Sequence, residues 1–275
     1  MKTKINNIIF KGLWLLFGIG ILVLFVAAFQ HRKNETCNNY SIKINNHQQG
    51  SFITQSEIAE LINASGNLKQ KKIKQINLAL LEKVIEKDPW VRNTEMYFEN
   101  NDILHIDIDQ TEAIARLFTV NGSSYYLDSF GKRLPVKPNA TSRVVVISNF
   151  PSDNKKLATP DSLLLKQVTS LANLICIDSF WNAQIAQINI DFNGKFELIP
   201  VIGNQTILFG DITNAKEKFE KLLAFYKTAW IKNGMNTYET IDLRFTNQIV
   251  AKRKVNNSSV KDSLSILISL NDSLR

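Results

Sequence analysis

Along this chain the spacing of apolar positions changes period several times, and each change marks a new element. Gly12 to Phe29 is apolar without a break (GLWLLFGIGILVLFVAAF). At about 1.5 Å rise per residue, a helix of this length reaches ~27 Å, close to the hydrocarbon thickness of a bilayer. The pattern predicts a cytoplasmic tail over 1–11, a transmembrane helix over 12–30 and a polar linker over 31–39. A signal peptide cut after Ala28 is the competing reading. The run is long for a signal core and ends in bulky Phe29 and Gln30, which favours an uncleaved anchor. Lys2, Lys4 and Lys11 before the span face His31, Arg32 and Lys33 after it, so flanking charge orients it only weakly.

Beyond the linker the period falls to two. Tyr40, Ile42 and Ile44 alternate with polar residues and predict a strand. Thr54-Gln55-Ser56-Glu57 has the spacing of a capping box and opens a helix carrying Ile58, Leu61 and Ile62, which Gly66 ends. Ile73, Ile76, Leu80, Leu81, Val84 and Ile85 keep helical spacing and predict a second helix over Lys72–Lys87. Asp88-Pro89 stops it, because the residue before a proline is pushed out of the α region. Strands follow at Val91–Phe98 and Leu104–Ile108 around an Asn-rich turn. The order β-α-α-β-β over 40–110 describes a small domain with two helices on one face of a three-stranded sheet.

From 111 to 254 strands dominate. Ala113–Val120, Ser124–Leu127 and Val144–Ile147 are short strand runs, with Asp128-Ser129-Phe130-Gly131 a turn. A helix is predicted over Ser162–Ser179, a strand over Ile185–Phe192, a type I′ turn at Asn193-Gly194 and strands at Lys195–Ile199 and Gln205–Phe209. A long amphipathic helix over Thr213–Lys232 precedes strands at Thr240–Phe245 and Gln248–Lys252. The fold class is therefore α+β, with a larger mixed β domain after the small one. From 255 to 275 Asn and Ser prevail, which predicts a mostly disordered tail, although Leu264, Leu267, Ile268 and Leu270 have weak helical spacing.

Charge changes this picture little. Lys and Arg number 33 against 25 Asp and Glu, a formal net charge of +8. No basic stripe with interleaved aromatics accompanies it, so the excess describes a solvated surface and not a nucleic-acid site. Cys37 and Cys176 lie far apart in dissimilar contexts and make no disulfide framework.

Catalytic chemistry is not legible. His31, His47 and His105 share no metal-ligand spacing with each other or with the cysteines. Asp107 and Asp109 alternate with Ile106 and Ile108, the pattern of a solvated strand face, and no glycine-rich phosphate loop lies nearby. Neither Gly-x-Ser-x-Gly nor a supported Ser-x-x-Lys occurs. No cofactor and no small-molecule substrate is expected.

One set of residues does carry a resemblance. Pro89-Trp90-Val91-Arg92-Asn93 is followed by Met96, Phe98, Asp102, Leu104, Ile106 and Ile108, then by Ile114-Ala115-Arg116. Tyr126-Leu127-Asp128 comes with Gly131 and Pro135, and Ile241-Asp242-Leu243-Arg244-Phe245 lies near the end. In this order after a single anchor, the segments resemble the bacterial cell-division family FtsQ/DivIB over essentially Met1 to Lys254. The chain departs from the family pattern at Ala113, where proline is usual, at Gln110, where an acid is usual, and at Tyr97, where a basic residue is common.

The resemblance implies a POTRA domain over 40–110 and a β domain over 111–254. It implies a non-enzymatic inner-membrane scaffold of the division septum, N-terminus cytoplasmic and bulk periplasmic. FtsB/FtsL-type coiled-coil partners would bind the end of the β domain, and other division proteins the POTRA domain and membrane helix. The matching edge carries Phe245, Asn247, Ile249 and Ala251. Read physically, Pro89 breaks a helix and starts a strand, Trp90 belongs in a core, and Gly131 supplies a turn's positive φ. Phe245 is an interface anchor or a core residue, and alternation alone does not separate the two. Two other classes stay open: a POTRA-containing envelope transport or outer-membrane assembly component, which should carry a β-barrel's alternating segments, and an envelope enzyme.

Overall fold

The structure is a computed structural model that describes residues 13–26, 36–45, 50–66, 68–69, 71–99, 103–234, 236–246 and 248–254. The chain divides into two compact units, residues 1–111 and 112–275. Within the first, residues 13–26 form helix α1. Among the described residues no helix is long and apolar enough to cross a membrane. The remaining positions of the predicted span, and the whole predicted tail over 255–275, lie outside the described residues.

The first unit runs β1 (Asn39–Asn45), α2 (Gln55–Ala64), α3 (Leu78–Ile85), β2 (Val91–Phe98) and β3 (Ile103–Gln110). Its sheet has the order β1-β3-β2, with β1 parallel and β2 antiparallel to the central β3. Alternation puts Leu104, Ile106 and Ile108 on one face of β3, all completely buried. Thr54 caps α2 as its spacing requires: its hydroxyl accepts from the Glu57 N–H at 3.2 Å, and the Glu57 carboxylate accepts from the Thr54 N–H at 2.9 Å.

The helix expected over Lys72–Lys87 is shorter than its apolar spacing suggests. A 3₁₀ turn occupies Ile73–Gln75, and α3 begins only after Asn77, whose side chain accepts from the Leu80 N–H at 3.1 Å. The lysines upstream serve an extended contact instead, since the Cys37 N–H donates to Lys71 O at 2.9 Å and Thr36 pairs with Lys72.

Trp90 anchors the core of this unit. It is completely buried and lies flat on Phe52, ring centroids 3.7 Å apart and planes 3° from parallel. The turn before it is held by Asp88, which accepts the Trp90 N–H at 2.9 Å on its side chain and the Val91 N–H at 2.9 Å on its carbonyl, around Pro89. Buried Gln110 uses both ends of its amide: its oxygen accepts the Phe52 N–H at 2.8 Å and its nitrogen donates to Gly50 O at 3.3 Å. An ionised acid at this position could not donate. The departure at Gln110 thus belongs to a hydrogen-bonded seat for Phe52.

Among the described residues the second unit holds one nine-stranded sheet, order β12-β11-β10-β9-β8-β7-β4-β5-β6. Its first strands are β4 (Ala115–Thr119), β5 (Ser124–Leu127), β6 (Arg133–Leu134) and β7 (Val145–Phe150). Helices α4 (Thr159–Ile177) and α5 (Ser179–Gln184) lead to β8 (Ile185–Ile190), β9 (Phe196–Pro200) and β10 (Thr206–Gly210). Helix α6 (Ala215–Phe225), a π turn at Tyr226–Trp230 and α7 (Ile231–Asn233) then lead to β11 (Tyr238–Asp242) and β12 (Val250–Arg253).

The parallel pairs β7/β8 and β10/β11 need crossovers, and both step the same way along the sheet. Right-handed connections therefore bring α4, α5 and α6 to one face. There Val168, Leu171, Ile175, Trp181, Phe219 and Leu222 join the strands in one core, with Trp181 and Phe219 centroids 4.9 Å apart. The opposite face carries a polar ladder: Gln187 donates to Ser148 at 2.7 Å, Ser148 to Asn189 at 2.9 Å and Asn189 to Glu197 at 2.8 Å.

Three expectations are corrected here. The helix predicted over Ser162–Ser179 starts three residues earlier, with Pro160 in its first turn, and α5 follows it as a separate helix because Asp178 accepts the Phe180 and Trp181 N–H groups and caps a new start. The single helix over Thr213–Lys232 is interrupted by the π turn. The Asn193-Gly194 hairpin is not type I′, which needs φ > 0 at both central residues; Gly194 has φ +72°, whereas Asn193 is absent from the residues of positive φ. It is a type I turn closed by a glycine bulge, fixed by Asp191, whose carboxylate accepts the Asn193 and Lys195 N–H groups at 2.8 Å each. Asp128 repeats this at the β5–β6 turn, accepting the Phe130 and Lys132 N–H groups at 2.9 and 2.8 Å. Gly131 there has φ +79°, and a Cβ on it would also crowd Thr169 of α4 at 3.2 Å.

Truncating Trp90 to alanine removes the ring on which Phe52 stacks. Large-to-small changes at such sites cost ~3–5 kcal/mol. Trp90→Ala should therefore lower or abolish the thermal transition of the first unit while that of the second persists, as differential scanning calorimetry of the full chain would resolve.

Candidate functional site

Strand β12 ends the large sheet, and among the described residues no strand pairs with its outer side. Which backbone groups face outward follows from β11. The Leu243 N–H donates to Leu208 O of β10 at 3.0 Å, so Ile241 and Leu243 face β10, and Thr240 and Asp242 face β12. Their partners are Lys252 and Val250. The N–H and C=O of Ala251, between these two, therefore point away from the sheet into the free edge.

The chain reaches this edge differently from the two long strands that alternation suggests. Strand β11 stops at Asp242 and β12 starts at Val250, so residues 243–246 and 248–249 belong to neither strand. Phe245 thus lies on the loop between the strands, 45% exposed. Ile249 and Ala251 turn their side chains toward the core and are half-buried. Asn247 lies outside the described residues.

Two contacts hold the loop. Arg244 forms a fork with Asp242, Nε to Oδ1 at 2.9 Å and Nη2 to Oδ2 at 2.6 Å, and the Arg244 N–H also donates to Oδ1 at 3.0 Å. From α6, Lys221 Nζ donates to Phe245 O at 2.8 Å and Thr246 O at 2.9 Å. Beside them a groove of about 240 Å³ is lined by Asp211, Lys218, Lys221, Arg244, Phe245 and Thr246. Lys218, buried over the Phe209 ring, donates to Asp211 O at 2.8 Å.

Burial pushes the Asp242 carboxyl up, but the Arg244 hydrogen bonds and charge outweigh it and hold the group below the usual carboxylate range. At Asp211 burial likewise raises, while Thr213, Lys218 and Lys195 together bring the carboxyl below that range. The sequence marks Asp242 and Arg244 as the polar face of a strand. The Lys221 clamp joins residues 24 and 25 positions apart and has no local signal.

The acidic pair on β3 is engaged in surface contacts. Asp109 accepts from Asn45 at 3.1 Å and pairs with Arg92 at 3.6 Å, and Asp107 accepts from the Tyr97 hydroxyl at 3.4 Å. His105 stacks on Tyr97 and meets Glu99 at 2.8 Å. His31 and His47 lie outside the described residues. Among the described residues no group of three or more His, Cys, Asp or Glu is placed to hold a metal ion. Cys37 and Cys176 are not joined in a disulfide, and burial pushes the Cys176 thiol up.

The family model described as FtsQ/DivIB, C-terminal related, matches residues 112–252. The model described as a POTRA-like domain matches residues 35–109. A comparison with curated proteins finds no match.

Because the Asp242 pKa is lowered on folding, its stabilising contribution is present above the unfolded carboxylate pKa of about 4 and is lost as pH falls through the folded value. Asp242→Asn should melt below wild type at pH 7 and approach it as the pH drops under about 4. Melting curves offset equally at pH 7 and pH 3 would refute this account of the fork.

Proposed function

We propose that this chain, which belongs to the FtsQ/DivIB family, is a membrane-anchored scaffold of bacterial cell division that takes a partner strand on the outer edge of β12. The observation carrying this reading is the free edge itself. Ala251 directs both its backbone groups outward, and an added strand gains affinity from such groups and selectivity from alternate side chains. Phe245 stands half-exposed on the loop that leads into β12, and aromatic anchors supply much of the binding energy at interface centres.

The partner that fits is an FtsB/FtsL-type coiled-coil protein whose extended end adds to β12. The POTRA-like unit serves other division proteins. The apolar run 12–29, helical over 13–26, supports a single membrane anchor, and membership of the family supports an orientation with the N-terminus cytoplasmic and the two domains after the anchor periplasmic. The work of such a molecule is recruitment, and no catalytic step is assigned to it.

Proline separates the edge from the ladder. Ala251→Pro removes an outward donor while leaving the bonds to β11, whereas Val250→Pro removes an inner donor. In titrations of the full chain with an FtsB-like peptide, Ala251→Pro should weaken binding at least about tenfold, or ~1.4 kcal/mol, with melting little changed. Phe245→Ala should weaken it as well, and Val250→Pro should lower the melting temperature. Undiminished binding by a folded Ala251→Pro chain would rule out this edge as the docking site.

A further inference from the structure

The first unit also ends in strands, and one of its edges is occupied in an unusual way. β2 is the last strand of the order β1-β3-β2, so every second residue turns its N–H away from β3. Thr94 and Met96 are two such residues. Their N–H groups donate to carboxylates: Thr94 to Glu86 Oε1 at 3.2 Å and Met96 to Glu82 Oε1 at 2.9 Å.

The periods agree. Glu82 and Glu86 are one helical turn apart, a rise of about 6 Å, and Thr94 and Met96 are two strand residues apart, about 6.8 Å. The later glutamate meets the earlier strand residue, so α3 runs antiparallel to β2 and offers acceptors at the spacing of a neighbouring strand's carbonyls. These bonds are charge-assisted, and an incoming strand would replace them with neutral ones. The other outer strand, β1, is also engaged: Gln55 Nε2 donates to its outward Ile42 O at 2.9 Å, and just upstream Cys37 and Thr36 join Lys71 and Lys72.

We propose that Glu82 and Glu86 stand in for a missing fourth strand and close the β2 edge to strand addition, which steers strand-adding partners away from the first unit. This closure does not depend on the reading of β12, and its test does not involve that edge.

The test compares the full wild-type chain with Glu82→Ala/Glu86→Ala and Glu82→Gln/Glu86→Gln. It follows amide hydrogen exchange at Thr94 and Met96, and capture of a photo-crosslinkable peptide copying residues 91–98. In wild type both amides should exchange at least about tenfold more slowly than unprotected ones, and β2 should not capture the peptide. The alanine pair should lose protection at these two amides and capture the peptide at β2. The glutamine pair, whose amide oxygens still accept but through neutral bonds, should keep both amides protected relative to the alanine pair and capture less peptide than it does. Capture at β2 in wild type overturns the proposal, as does a folded alanine pair indistinguishable from wild type. Should the alanine pair fail to fold, unprotected exchange at Thr94 and Met96 in wild type or in the glutamine pair still overturns it.

Discussion

A sheet that does not close on itself leaves its last strands with backbone donors and acceptors and no neighbour, and this constraint organises both units of the molecule. At one end of the large sheet, β6 is only two residues long, and Arg133 from it donates to Asn154 O at 2.9 Å, so little edge is offered there. In the POTRA-like unit, side chains from the helices reach the outer strands. β12 differs from all of these. It is four residues long, among the described residues no strand pairs with its outer side, and the loop that leads into it is held by the Asp242–Arg244 fork and the Lys221 clamp.

The rest of the second unit explains how a strand left open on one side stays in place. Both helical crossovers fall on one face, so Phe209, Trp181, Phe219 and Leu222 form a continuous apolar layer beneath β10 and β11. The burial of Ile241 and Leu243 in that layer positions β11, and β11 in turn positions β12. The edge inherits its position from a core it barely enters, since among its described residues Ile249 and Ala251 alone pack against that core.

Much of this was legible in the sequence wherever a short period met a strong local signal. The β-α-α-β-β order, the Thr54 capping box and the alternation of Leu104, Ile106 and Ile108 need no tertiary information. The structure departs from the apolar period where a local hydrogen bond competes with it. Ile73 and Ile76 continue the helical period, yet Asn77 caps the helix after them and the backbone at Lys72 is extended. At Asn193-Gly194 the dipeptide suggests one turn, but Asp191 before it dictates another through its own hydrogen bonds. Contacts over distance were out of reach. Glu82 and Glu86 look like a solvated helix face until β2 lies beside them, and nothing local in Lys221 says that it will grip the loop at Phe245. The π turn at Tyr226–Trp230 has no marker in its residues that we can identify.

The geometry of the β12 edge also has a mechanical meaning. Hydrogen bonds between antiparallel strands lie perpendicular to the strand axis. A tether joined to this edge and pulled along that axis would load all of its bonds at once, in shear. Pulled across the axis, it would open them one after another like a zipper. A short strand can therefore hold firmly in one direction and release readily in another, so the angle at which tension arrives, and not the number of bonds alone, would govern how long such an attachment lasts.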